Sequence, residues 1–258
     1  MMKYKSIAKT ALRKMGLAIY RIPTERQSVS SGYNYAVSYP NATLAPWLGD
    51  RVFMQTYERV KHNTLVDIYR MYELWELAGQ ALQAGGDIVE VGVWRGGTGC
   101  LMAKRAETMN ASSRVFLCDT FSGVVKAGAE DSSYKGGEHS DTGVTVLRKL
   151  EADLSLDNTE VLVGVFPDAT GNLLATKNIC LCHIDVDVYQ SAKDAVEFVW
   201  DRIPAGGVIV FDDYGFAGCE GVTRYVDELR TRDDVFFFNN LNGHAVILKQ
   251  GVLHGDVC

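Results

Sequence analysis

The sequence predicts a doubly wound α/β fold with a mostly parallel seven-stranded sheet and an antiparallel C-terminal hairpin. Three observations carry that expectation. Five short apolar runs, 87–92, 114–119, 159–164, 180–185 and 207–212, are each too short for a helix and are separated by stretches able to hold one. That spacing belongs to parallel strands with helices on both faces of the sheet. Two further runs, 235–239 and 244–249, flank the turn Asn240-Leu241-Asn242-Gly243, which makes them a hairpin at the sheet edge. Finally, four of the five runs carry carboxylates at or near their C-terminal ends.

The elements follow in order. Residues 1–24 hold Lys3, Lys5, Lys9, Arg13, Lys14 and Arg21 with no acid, and Ile7, Leu12, Met15 and Ile19 give this start a mild amphipathicity. It reads as a helical arm that packs on the body or on a second subunit, which favours a homo-oligomer; a membrane-surface or targeting segment is the competing reading. The stretch 26–50 is irregular. Residues 1–50 are therefore taken as a basic arm and extension, and 51–258 as the main domain. Thr64-Leu65-Val66-Asp67 resembles a helix N-terminal capping signal. Leu65, Ile68, Met71, Tyr72, Trp75, Ala78 and Leu82 then recur at three- and four-residue steps until Gly85-Gly86 stops the helix. Further helices are expected at 97–109, 143–154, 189–203 and 220–231, the third with Ala192, Ala195, Val196 and Val199 on one side. The irregular stretch 121–142 contains Gly123, Gly128, Gly136 and Gly137 and suits a mobile lid.

Composition narrows the classes. With 258 residues, 47% of them hydrophobic, the chain buries a sizeable core without disulfides or a structural metal. No apolar run approaches the ~20 residues of a membrane span. The net charge of −6 argues against a nucleic-acid partner. Of the six cysteines, Cys118, Cys180 and Cys182 lie inside strand-like runs, so no disulfide framework is expected. Cys180 and Cys182 would share a strand face, but no second Cys/His pair at zinc spacing accompanies them. They read as small core residues of a cytoplasmic protein.

The acids are the informative feature. Glu90, Asp119, Asp185, Asp187, Asp212 and Asp213 share the C-terminal rim of a parallel sheet, where ligands bind. Six carboxylates there repel one another and call for something cationic or rich in donors. The first strand runs into Glu90-Val91-Gly92-Val93-Trp94-Arg95-Gly96-Gly97-Thr98, a glycine loop opening a helix. Glycine lets the backbone approach a ligand and leaves helix N-terminal amides free to bind it. Asp119, 29 residues after Glu90, is placed to accept hydrogen bonds from two ribose hydroxyls, which argues for a nucleoside-like ligand. Asp185, Asp187 and the Asp212-Asp213 pair converge from adjacent strands without nearby His or Cys partners, a hard all-oxygen set suited to Mg²⁺ or Mn²⁺. His183 reads as a core histidine.

Taken together, Glu90–Thr98, the acid of Cys118-Asp119-Thr120-Phe121-Ser122, the D-x-D-x-Y-x-S run of 185–191 and the D-D-Y-G run of 212–215 resemble the macrocin O-methyltransferase family of sugar methyltransferases. The resemblance covers roughly residues 50–250. It implies a class I S-adenosylmethionine methyltransferase with a Rossmann-like sheet and a reversed C-terminal hairpin. By the same resemblance Thr64, Glu90, Gly92, Arg95, Gly96, Asp119, Ser122, Gly164, Phe166 and Asp185 belong to the cofactor site. Asp185, Asp212 and Asp213 would hold Mg²⁺, and Asp187 would be the general base.

The expected reaction is methyl transfer from S-adenosylmethionine to a hydroxyl of a sugar or glycosylated small molecule, a step of carbohydrate modification in natural-product biosynthesis. Two other readings compete. An NAD(P)-dependent oxidoreductase is disfavoured by the missing first glycine of a G-x-G-x-x-G loop and by the long gap to Asp119, against roughly 20 residues in that fold. A non-catalytic binding protein on the same fold is disfavoured by the acid triad.

Overall fold

The computed structural model describes residues 26–27, 32–36, 42–109 and 111–251. The chain divides into two compact units, Met1–Asn41 and Ala42–Cys258. In the first, β1 (Arg26–Gln27) pairs antiparallel with β2 (Asn34–Tyr35). The helical arm expected at residues 1–24 lies outside the described residues.

The second unit carries β3 (Asp87–Val91), β4 (Val115–Asp119), β5 (Thr159–Val163), β6 (Ile179–Ile184), β7 (Val208–Phe211), β8 (Val235–Asn239) and β9 (Ala245–Lys249) in one sheet of order β5-β4-β3-β6-β7-β9-β8. Strands β3 to β7 are mutually parallel, and β9 runs antiparallel to both β7 and β8. From β3 the chain steps outward through β4 and β5, then returns to pair β6 on the other side of β3. The strand order therefore reverses between β3 and β6, and a crevice opens at their C-terminal ends. The expected mixed seven-stranded sheet is the one observed.

Helices cover both faces. On one lie α1 (Arg51–Val60), α2 (Ile68–Ala81), α3 (Gly97–Thr108) and α4 (Val144–Leu154), packed through Phe53, Met71, Leu74, Trp75, Leu101 and Leu147. On the other lie α5 (Tyr189–Val199) and α6 (Glu220–Leu229), packed through Ala192, Val196, Val222 and Val226. The expected helix at 189–203 ends at Val199 and continues as a 3₁₀ turn, Trp200–Arg202.

Three features depart from the linear reading. Helix α1 was not anticipated. It is started by Asp50, whose Oδ1 accepts from the Phe53 amide at 2.9 Å and whose Oδ2 accepts from Trp75 Nε1 at 2.9 Å, so one carboxylate caps α1 and ties it to α2. Helix α2 begins at Ile68 with Asp67 as its cap, leaving Thr64 in the preceding loop. Cys180 and Cys182 do not share a face. A register irregularity pairs Asp87 with Ile179 but Ile88 with Leu181. The extra residue puts Cys180 into the core on the α2 face and Cys182 into the core on the α5 face. The five described cysteines are buried and free.

Candidate functional site

A cavity of about 370 Å³ lies at the strand-order reversal. Its lining joins the two predicted halves: Thr64, Gly92, Asp119, Gly164 and Phe166 at one end, and Asp185, Asp187, Asp212 and Asp213 at the other. Glu90, Arg95, Gly96 and Ser122 lie outside that lining.

At the first end the backbone is shaped by close approaches. An added Cβ at Gly92, where φ is +86°, would sit 1.7 Å from the Asp185 carbonyl oxygen, so this glycine lets the β3 loop cross the end of β6. Asp119 is engaged with this loop. Its Oδ2 accepts from the amides of Val93 and Trp94 at 2.7 and 2.8 Å, and its Oδ1 from Phe121 at 2.6 Å. A carboxylate has about four acceptor positions, so Asp119 keeps capacity on the cavity side. The first amide of α3 is not free as expected: Gly97 N–H donates to the Asn63 carbonyl at 2.9 Å. Glu90 is fully buried beneath α3, with Oε1 on His183 Nδ1 at 2.9 Å. Gly96 holds the left-handed turn before α3 against Leu147, and Ser122 is exposed in the loop after β4.

At the second end, β6 stops at Ile184, so strand alternation does not carry Asp187 inward. Asp187 instead adopts a left-handed conformation, φ +66°, with its amide donating to Asp213 Oδ2 at 2.8 Å. One donor atom from each of Asp185, Asp212 and Asp213 lies within 4.8 Å of the others. Burial, reinforced by the charges of Asp212 and Asp213, pushes Asp185 well above the usual carboxylate range. Burial and the charges of Asp187 and Asp212 do the same to Asp213. Asp212 goes the other way. Burial opposes its ionisation, but His183, His244 and Arg70 outweigh that cost and hold it well below the usual range. Arg70 Nη1 donates to Asp212 Oδ2 at 2.5 Å, and His244 Nε2 lies 2.9 Å from Oδ1.

The expectation that these acids lack His or Cys neighbours is overturned. His183 and His244 flank Asp212, and the Cys219 sulfur lies 3.8 Å from Asp213 Oδ1 and 3.9 Å from Asp187 Oδ1. The fold brings His244 in from the position just before β9, 32 residues beyond Asp212, and Arg70 from α2, 142 residues before it. One signal for Arg70 was present: it stands four residues before Leu74 and eight before Ala78, a cation on the apolar face of its helix.

The segment 121–142 covers the cavity. Its far end is pinned by Arg95, whose Nη2 donates to Asp141 Oδ2 at 2.6 Å, and by Trp94 Nε1, which donates to Asp141 Oδ1 at 2.9 Å. Arg95 therefore anchors this segment. Lys126 bridges Asp168 and Asp194 at 2.6 and 2.5 Å, and Ser191 Oγ donates to the Val125 carbonyl at 3.0 Å. Asp131 is buried, accepting from the amides of Gly128 at 2.8 Å and Tyr189, the first residue of α5, at 2.9 Å. From this cover Tyr134 Oη lies 3.5 Å from His139 Nε2, which in turn lies 3.8 Å from Asp187 Oδ2. Burial raises the Asp187 pKa, and these two neighbours partly offset it.

Comparison with known proteins establishes the fold and the family. The chain is 29% identical over 181 residues to an enzyme from Streptomyces olivaceus named 8-demethyl-8-(2,3-dimethoxy-alpha-L-rhamnosyl)-tetracenomycin-C 4'-O-methyltransferase, covering 66% of this chain and 69% of that protein. It is 26% identical over 197 residues to mycinamicin III 3''-O-methyltransferase from Micromonospora griseorubida, covering 70% and 76%. Among solved structures, the O-methyltransferase NovP superposes with a TM-score of 0.62 at 22% identity over 73% of this chain and 83% of that one. The calicheamicin methyltransferase CalS11 gives 0.60 at 15% identity, covering 81% and 95%. These likenesses show a shared class I O-methyltransferase fold. The sequence profile of the macrocin-O-methyltransferase (TylF) family matches residues 56–243, nearly the whole of the folded unit that carries the cavity, and the chain belongs to that family.

Proposed function

We propose that the chain transfers the methyl group of S-adenosylmethionine to a hydroxyl of a sugar or glycosylated small molecule, with Mg²⁺ held by Asp185, Asp212 and Asp213 and Asp187 as general base. The observation that carries this reading is one cavity whose two ends differ in chemistry. One end is built from a glycine loop, Asp119, Gly164 and Phe166; the other is built from four aspartates. The names of the relatives, which place methylation on sugar oxygens of glycosylated compounds, support the acceptor class.

The residues fit the two groups the reading requires. Asp185, Asp212 and Asp213 offer oxygen donors within 4.8 Å of one another, and the upward pKa shifts of Asp185 and Asp213 express a surplus of buried negative charge that a dication relieves. When bound, the ion supplies Lewis acidity towards acceptor oxygens. At the other end, Asp119 is placed to accept from ribose hydroxyls with its remaining capacity. Thr64, Gly92, Gly164 and Phe166 would wall the cofactor, with Glu90, Gly96, Arg95 and Ser122 shaping that wall from beneath and beside.

Asp187 does the proton work in this scheme. A sugar hydroxyl holds its proton tightly at neutral pH, so the acceptor needs a base within hydrogen-bond reach as its oxygen attacks the methyl carbon. Burial lifts Asp187 toward that task, and Tyr134 and His139 on the cover partly offset the rise. The tethered cover excludes water and holds the acceptor in line, where proximity is worth several orders of magnitude in rate.

The test is a panel of glycosides and nucleotide sugars incubated with labelled methyl donor, with and without Mg²⁺. Methyl incorporation that depends on Mg²⁺ supports the reading. Calorimetric titration showing that NAD binds and S-adenosylhomocysteine does not would refute it.

A further inference from the structure

His183 and His244 make contacts that methyl transfer does not call for. Both rings are fully buried. Each turns its Nδ1 to a glutamate: His183 to Glu90 Oε1 at 2.9 Å, and His244 to Glu73 Oε2 at 2.6 Å. An ionised carboxylate only accepts, so Nδ1 carries a hydrogen in both rings, His244 Nε2 donates to Asp212 Oδ1 when no ion is bound, and Nε2 is the inward-facing atom of each ring. The two Nε2 atoms converge on one oxygen, Asp212 Oδ1, at 3.9 and 2.9 Å. The longer distance is no hydrogen bond, and His183 Nε2 is a buried polar atom with no partner.

An Nδ1–H to carboxylate contact is how a metal-binding imidazole fixes its tautomer and aims its other nitrogen. Here it occurs twice, with both nitrogens aimed at the same carboxylate. We propose that His183, His244 and Asp212 form a second cation site behind the aspartate triad, selective for a borderline transition dication such as Zn²⁺ over Mg²⁺. Two imidazoles and one carboxylate are a donor set for zinc, whereas Mg²⁺ prefers oxygen alone. The three donor atoms lie within 4.8 Å of one another, so one ion at ~2.0–2.2 Å from each needs only small side-chain shifts. The charge also balances. Glu73, Glu90 and Asp212 carry three negative charges against the one positive charge of Arg70, a surplus of two that a dication matches once the Nε2 protons have left to solvent.

Asp212 lines the cavity and gives the ion an entry path. Once bound, the ion would link β6, the end of β7 and the start of β9 directly, and α2 and β3 through the two glutamates. The proposal does not depend on the identity of the methyl acceptor.

The test uses the full chain. Zn²⁺ is titrated calorimetrically with Mg²⁺ present in large excess, and Co²⁺ is used as a spectroscopic probe. One equivalent of Zn²⁺ that Mg²⁺ does not displace is expected, together with intense Co²⁺ d–d absorption of a four- or five-coordinate site with nitrogen ligands. His183→Gln and His244→Gln are expected to abolish both signals. Glu73→Gln should weaken Zn²⁺ roughly 10–100-fold, and Asp213→Asn, which disables the oxygen triad, should leave it unchanged. Displacement of Zn²⁺ by Mg²⁺, loss of Zn²⁺ in Asp213→Asn with retention in His244→Gln, or a Co²⁺ spectrum of six oxygen ligands would each overturn the proposal. The wild-type spectrum decides the matter without any variant having to fold.

Discussion

Asp187 reaches the cavity only because its backbone turns left-handed, a conformation that Asp and Asn tolerate better than other side chains with a Cβ. Asp187→Asn is therefore expected to preserve the turn while removing the base. Turnover should fall by about 10²-fold or more with Mg²⁺ affinity little changed, and a wild-type rate would remove Asp187 from that role. Asp212→Ala should abolish turnover yet leave S-adenosylhomocysteine binding largely intact by calorimetry. Activity that survived both this change and exhaustive chelation would rule out the metal. At Gly92, alanine would have to sit in the Asp185 carbonyl with φ at +86°, so a stability loss on the order of 3 kcal/mol or more is expected in urea titration. The strand-end acids were legible because Asp after a parallel strand faces the ligand crevice. Arg70 and His244 were not, because the contact that gives each a meaning is made across the fold, as is the hydrogen bond between Glu90 and His183.

Among the elements, β6 shows how one residue alters what a strand presents. The irregularity at Cys180 separates two thiols that simple alternation puts together, and burial raises the Cys180 thiol to about 11. A thiol whose pKa is raised on folding favours the folded state below its unfolded value and loses that contribution as pH climbs to the folded one. Stability is therefore expected to fall between about pH 9 and 11 by an amount on the order of 2–3 kcal/mol from this group, a contribution that Cys180→Ala should remove in urea titrations. Helix α1 escaped the linear reading because the residue between its two buried apolar anchors, Phe53 and Val60, is a threonine. Its anchoring is nevertheless firm. Phe53 is fully buried in edge contact with Tyr72 and Trp75, so Phe53→Ala should cost about 3–5 kcal/mol by chemical denaturation. Alternating apolar runs and helical gaps were enough to reveal the sheet, whereas strand register and bulges depend on partners that no local pattern specifies.

For the molecule as a whole, topology decides where chemistry can occur. The return of the chain from β5 to β6 opens the crevice, and acids at the end of β4 and just after β6 and β7 meet there although 94 residues separate Asp119 from Asp213. Among the described residues, the unit from Ala42 onward contains both cores and all of the cavity lining, so a chain beginning at residue 42 should unfold cooperatively and still bind S-adenosylhomocysteine. The cover over that cavity is held in part by Asp131, which serves as a borrowed cap for α5. Asp131 fits only because position 221 on α6 is glycine: a Cβ there would lie 2.0 Å from Asp131 Oδ1. One methyl group on α6 would evict the carboxylate and loosen the cover without touching the acceptor. Position 221 is thus a place where evolution could retune acceptor tolerance while leaving every reacting group unchanged.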